Sequence, residues 1–260
     1  CSRPLDTKNR SGSVLGRETA IQKMVWGEDG WLRLASGSRV AEATTVGPDL
    51  PLVPFKKEPI RDEFDSTTLG KHFQWLRGDI SDKIFSLTAN PSHLRLYGKE
   101  MIVSDYEVSL IARRQQAFIY EASTAMVFSP DEENQMAGLV VLYSNILHYY
   151  LYVGYDNHIG TFISIMSNDN RDINIYACRP EAIATGKQIY LRAEVDGPSL
   201  QFFYGFSEND YKPIGPVLDM TILSDEHSGG FTGAFVGLCC NDPSTLSAYA
   251  DFDFFEYIEK

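Results

Sequence analysis

Turn-forming residues interrupt this chain so often that a helix of ordinary length has no room to form. From Ile60 onward, clusters such as Asn90-Pro91-Ser92 and Asp196-Gly197-Pro198 recur roughly every 8 to 15 residues. No stretch carries an apolar stripe of helical period, whereas residues 93–98 and 117–128 alternate with a period of two. In the longer of these, Phe118, Tyr120, Ala122, Thr124, Met126 and Phe128 share one face. The clearest hairpin joins residues 189–195 to 200–206, and another joins 135–143 to 147–155 around Ser144-Asn145-Ile146. This spacing predicts an all-β fold, a two-sheet antiparallel β-sandwich over residues 60–260. The Asp-x-Phe-Asp opening at Asp62 and the Asp-x-Asp-Phe-Phe-x-Tyr ending at Asp251 are alike in pattern, which predicts that the first and last strands are neighbours.

One strand stands apart. Gly229-Gly230-Phe231-Thr232-Gly233-Ala234-Phe235-Val236-Gly237-Leu238-Cys239-Cys240-Asn241-Asp242 starts at a diglycine, alternates small with large residues, and leaves through a turn. Gly233 and Gly237 allow another backbone or a ligand to come close. Phe231, at the mouth, reads by pattern as the cap of a core; the sharper reading is a pocket wall.

Ahead of the sandwich, residues 1–38 read as a unit of their own. Residues 14–26 approach a tight turn at Glu28-Asp29-Gly30, and Trp31-Leu32-Arg33-Leu34 return. A lone hairpin is marginal in water, so this one needs something to dock on. Arg17, after a glycine and before an acid, reads by pattern as half of a local ion pair with Glu18 or as a surface charge. Residues 39–59, with Pro48, Pro51, Pro54 and Pro59, read as an extended linker.

The formal charge of −12 argues against nucleic acid and against an anionic membrane, because both are bound through clustered Lys and Arg. No apolar run approaches the roughly 20 residues of a membrane helix. Cys1, Cys178, Cys239 and Cys240 show no Cys-x-x-Cys spacing, and the adjacent pair Cys239 and Cys240 points to opposite faces of a strand. They read as reduced thiols, which favours a cytoplasmic protein. Most carboxylates lie in polar turns, Asp225-Glu226 among them, where a solvated loop is the default. Asp251 and Asp253, two apart in the last strand, could hold a structural calcium ion with help from the first strand. Arg113-Arg114-Gln115-Gln116 reads as a solvated polar edge between strands. No nucleophile elbow and no phosphate-cradling loop are present, so the residues by themselves assign no catalytic group and no metal site.

Six motifs in order carry a resemblance over nearly the whole chain. They are Gly16-Arg17-Glu18-Thr19-Ala20-Ile21-Gln22, Asp29-Gly30-Trp31, Ala112-Arg113-Arg114-Gln115-Gln116, Gln135-Met136-Ala137-Gly138-Leu139, Glu194-Val195-Asp196-Gly197-Pro198, and the stretch from Gly229 to Cys240. Together they resemble the C-terminal half of the family 43 β-xylosidases, in which a five-bladed β-propeller precedes a concanavalin A-like β-sandwich. The resemblance implies that residues 1–38 are the last piece of the propeller. It also implies an inverting, exo-acting β-1,4-xylosidase that works on xylo-oligosaccharides from the non-reducing end, with α-L-arabinofuranosidase as a side activity. The family's catalytic carboxylates would lie in the absent N-terminal half, so none is expected here, and the chemistry needs no cofactor. Two residues carry over as substrate-binding: Arg17, matching an arginine that holds sugar hydroxyls, and Phe231, matching the aromatic that the sandwich inserts to close the pocket. The expected partners are the substrate, the propeller half and further copies of the chain. The alternative is a stand-alone carbohydrate-binding or structural module without catalysis.

Overall fold

The structure, a computed structural model, describes residues 2–5, 12–77 and 82–260; Cys1 therefore lies outside the described residues. The strands are β1 (Met24–Trp26), β2 (Leu32–Leu34), β3 (Arg61–Asp62), β4 (Phe73–Gln74), β5 (Phe85–Ser86), β6 (Leu94–Tyr97), β7 (Ser109–Arg114), β8 (Ile119–Phe128) and β9 (Met136–Ser144). Then follow β10 (Leu147–Asp156), β11 (Gly160–Asp169), β12 (Asp172–Asn174), β13 (Glu181–Ala182), β14 (Ile189–Asp196), β15 (Ser199–Gly205), β16 (Tyr211–Asp219), β17 (Phe235–Asn241) and β18 (Tyr249–Glu259). A 3-10 turn at Met220–Leu223 and a one-turn helix α1 at Asp225–Ser228 sit between β16 and β17.

The chain divides into two compact units. Ser2–Arg17 belong with Pro59–Lys260, and Glu18–Glu58 form a unit of their own. Residues 2–17 thus group with the sandwich, and residues 18–38 group with the proline-rich stretch that follows them. The physical reason is the burial of Leu5, Val14 and Leu15 against Phe118, which ties the first segment to the sandwich. In the smaller unit β1 and β2 pair as Met24↔Leu34 through Trp26↔Leu32, and Gly30 takes the positive φ of the Asp-Gly turn. Strand structure there starts at Met24, not at Val14, because residues 14–16 are used elsewhere. Trp26 and Trp31 are each 72% exposed.

The larger unit is the predicted antiparallel sandwich. One sheet runs β12-β11-β10-β9-β17-β7-β4 with β13 beside β11; the other runs β16-β15-β14-β8-β18-β6-β5 with β3 beside β18. β3 pairs with β18 through Asp62↔Phe255, so the first and last strands of the sandwich are neighbours as their patterns predicted. The main core lies between the sheets, where Leu139, Leu151 and Ile163 of the first face Tyr120, Leu191 and Phe202 of the second. The first sheet is buried on its other face as well: Leu110, Val140, Tyr150, Tyr152 and Phe162 pack there under Ile102 and Val108. That double burial is why β9 and β10 read as almost unbroken apolar runs, whereas β14, with one wet face, alternates. Cys239 joins the outer cluster and Cys240 the inner one, so the two thiols do point to opposite faces.

Two polar sites show what partners these residues find. Arg113 is buried in β7, stacked over Tyr257 at 4.2 Å and hydrogen-bonded to Gln116, and Gln115 is buried too, so half of the tetrad is interior while Arg114 is half-buried and Gln116 exposed. At the proposed calcium position, both oxygens of Asp251 accept from the Arg95 guanidinium at 2.7 Å, and Asn90 donates to one of them. Asp251 is thus engaged by a guanidinium, and a β-bulge between Phe252 and Phe254 leaves Asp253 outside the regular pairing.

Asp242, fully buried after β17, accepts hydrogen bonds from the Thr245 hydroxyl and from the N–H groups of Thr245, Ser247 and Ala248, at 2.6 to 2.9 Å. Burial pushes its carboxyl up, but the four donors outweigh burial and hold its pKa at about 2. The folded value lies below the unfolded one. The carboxylate therefore contributes its full stability above the ordinary carboxylate pKa and loses it as pH falls toward about 2. That contribution is about 2 kcal/mol. Asp242→Asn is expected to lower stability by about that amount at pH 7, with the deficit shrinking as pH drops, read by urea unfolding at a series of pH values.

Candidate functional site

The site grows from one close approach of backbones. Ala234 donates its N–H to Val14 C=O at 2.7 Å, laying the segment 13–17 along the residues that lead into β17. Gly16 and Gly233 meet there, both at positive φ. A Cβ on Gly16 would lie 2.6 Å from Gly233 N, and a Cβ on Gly233 would lie 2.6 Å from Gly16 N. Only glycine at both positions permits the contact. Gly237, the other glycine singled out in this stretch, is also used for a backbone, that of β7 at Ile111 and Ala112.

Arg17 follows Gly16 directly, and Phe231 precedes Gly233 by two residues. The structure therefore brings both predicted residues to one crossing. Both are exposed, Phe231 by 65%, so Phe231 does not cap a core. An exposed aromatic and an exposed guanidinium on a rigid crossing suit a sugar ring, which is apolar on its faces and polar around its rim.

Two residues assigned by default to a solvated loop hold the crossing together. Asp225 is buried, and its Oδ1 accepts from the Tyr143 hydroxyl at 2.9 Å and from Gly233 N–H at 3.2 Å. The Tyr143 hydroxyl in turn accepts from Thr232 N–H at 3.1 Å, and Asp225 N–H donates to Ser13 C=O at 3.2 Å. Glu226 accepts from Ser13 N–H at 2.6 Å and from the Ser13 hydroxyl at 2.7 Å. Partial burial raises its carboxyl, but the two Ser13 donors and the charge of Arg17 outweigh this and leave it below the ordinary glutamate value. His227 Nε2 lies 2.6 Å from Asp169 Oδ1, tying α1 to the end of β11.

These residues carried a readable signal. Ser224-Asp225-Glu226 is a helix start, with a capping residue before two acids, and the Ser224 hydroxyl does accept from His227 N–H at 3.3 Å. Gly229 at φ 73° closes the same turn. The helix is a single turn, too short for a periodic stripe to reveal it. No group of three or more His, Cys, Asp or Glu able to hold a metal ion occurs among the described residues.

The fold and the crossing define a class: an antiparallel, concanavalin A-like sandwich with an N-terminal arm strapped to one of its loops. The chain belongs to the family described as "Beta xylosidase C-terminal Concanavalin A-like domain", whose model matches residues 61–258. It is 36% identical over 261 residues to a β-xylosidase of Bacillus subtilis, covering 97% of this chain and 48% of that protein. To a xylan 1,3-β-xylosidase of Vibrio sp. it is 36% identical over 252 residues, covering 95% of this chain and 46% of the other. The crystal structure of xylan β-1,4-xylosidase from Bacillus halodurans C-125 superposes with a TM-score of 0.94 at 37% identity, covering 100% of this chain and 50% of that one. The chain thus spans about half the length of the curated relatives it matches.

Proposed function

We propose that this chain is the C-terminal portion of an inverting, exo-acting β-1,4-xylosidase, and that its sandwich closes the sugar pocket of an N-terminal catalytic half. The observation that carries the reading is the Gly16–Gly233 contact, which puts Arg17 and Phe231 on one crossing in the larger unit. Arg17 would hold sugar hydroxyls through its fork of donors, and Phe231 would wall the ring and keep water out, which strengthens the electrostatics of carboxylates supplied by the other half. A closed end to the pocket accounts for attack at chain termini. The exposed Trp26 and Trp31 of the hairpin fit a piece of propeller that needs its neighbouring blades. Arabinofuranosidase side activity, homo-oligomeric assembly and a cytoplasmic location belong to the same proposal, the last supported by the free thiols Cys178, Cys239 and Cys240.

The test is complementation. The purified chain should not hydrolyse xylobiose or xylotriose, and adding or fusing the N-terminal half should give steady release of xylose. Hydrolysis by the chain alone would refute the absence of its catalytic carboxylates. Tight calorimetric binding of xylo-oligosaccharides by the chain alone would favour a stand-alone binding module.

A further inference from the structure

We propose that Glu226 is a positioning residue, a clasp that holds Ser13 and so fixes the arm carrying Arg17 beside Phe231. The inference rests on the reading of Arg17 as a sugar-binding residue and adds a part to it. Three residues separate Ser13 from Arg17, and Glu226 takes both the N–H and the hydroxyl of Ser13 on its two carboxylate oxygens. Charge-assisted bonds of this kind are about twice as strong as neutral ones. The apolar anchor of Val14 and Leu15 is non-directional, and two backbone bonds, Ala234 N–H to Val14 C=O and Asp225 N–H to Ser13 C=O, already orient part of the arm. The two bonds to Glu226 add the side-chain grip, holding both the N–H and the hydroxyl of Ser13.

Glu226 can act this way because α1 is itself held firmly. Asp225 grips Tyr143 of β9 and Gly233 N–H, and His227 meets Asp169 of β11. A continuous line of hydrogen bonds therefore runs from the first sheet through α1 to Ser13. The Glu226 carboxylate also lies close enough to Arg17 for that charge to help keep it ionised. A sugar that meets an arginine already oriented avoids part of the ordering cost of binding.

The test uses the chain joined to its N-terminal half and two variants. Glu226→Ala should speed amide hydrogen exchange across residues 13–17 by about tenfold or more and lower kcat/KM on xylobiose by about tenfold. Glu226→Gln keeps an acceptor for Ser13 N–H and should restore most of both. Unchanged exchange in Glu226→Ala overturns the clasp. Faster exchange with unchanged kcat/KM overturns the positioning role and leaves a local structural contact. If Glu226→Gln keeps the exchange protection but not the activity, activity depends on the charge of Glu226 and not on its hold on Ser13, and the positioning role is overturned. Arg17→Ala, measured alongside, separates the two layers. If it leaves kcat/KM unchanged, the sugar-binding reading itself fails and takes this role with it, while the exchange result still stands.

Discussion

If the chain completes a xylosidase as proposed, Arg17→Ala, made in the chain joined to its N-terminal half, is expected to lower kcat/KM on xylobiose by about a hundredfold, roughly 3 kcal/mol of transition-state stabilisation. The same change leaves the melting temperature of the sandwich almost untouched. The two halves of that expectation come from different facts. Arg17 is exposed and lies at the edge of its unit, so little packing is lost with it. Its donors, however, would face sugar hydroxyls in a closed pocket, where an unmet hydrogen bond is expensive. Arg17→Lys should recover only a small part of the loss, because a point charge does not replace a planar fork. Phe231→Ala should behave similarly and more mildly, with a loss of about tenfold, since it removes a wall and not a hydrogen-bonding partner. Steady-state kinetics beside thermal melting checks all three.

The second large effect comes from adding a single methyl group. Gly233→Ala places a Cβ 2.6 Å from the backbone N of Gly16 and 2.6 Å from Leu15 C, at φ 75°. The left-handed conformation alone costs about 1 kcal/mol, and no flexible side chain is available to move aside, because the obstacles are backbone atoms. The arm must therefore lift. The expected result is faster exchange at Ala234 N–H, whose acceptor is Val14, together with a loss of xylosidase activity comparable to that of Arg17→Ala. The core between the sheets should keep its protection, since Gly233 lies ahead of β17 and outside the ladder. Hydrogen exchange resolved by segment distinguishes this local release from global unfolding.

What the sequence made legible and what it concealed follow from the range of the forces involved. Strand alternation and turn residues are local, so the sandwich, its hairpins and the pairing of its first and last strands could be read directly. The two-faced burial of Cys239 and Cys240 followed from the period of two in the same way. The crossing of residues 13–17 with 231–234 depends on contacts more than two hundred positions apart, and nothing in local pattern announces them. Taken alone, Arg17 looked like a surface charge and Phe231 like a core cap; only the family motifs put them together. Asp225 and Glu226 were passed over as loop acids because their partners, Tyr143 and Ser13, are equally remote. Arg113 was misplaced for a different reason: an arginine can be buried when an aromatic face and an amide receive it, and polarity by itself does not reveal that. Asp251 offers oxygens of the kind calcium takes, but the cation that meets them is Arg95, 156 positions away in sequence and directly opposite in register.

A double-mutant cycle between Gly233→Ala and Arg17→Ala, read in kcat/KM on xylobiose, asks most directly whether the glycine contact exists to place the arginine. If it does, the double variant is about as impaired as the worse single one, because the methyl group has already taken Arg17 out of use. If the two losses multiply, the glycine contact and the arginine act independently, and the account of the crossing as the organiser of the sugar site is wrong.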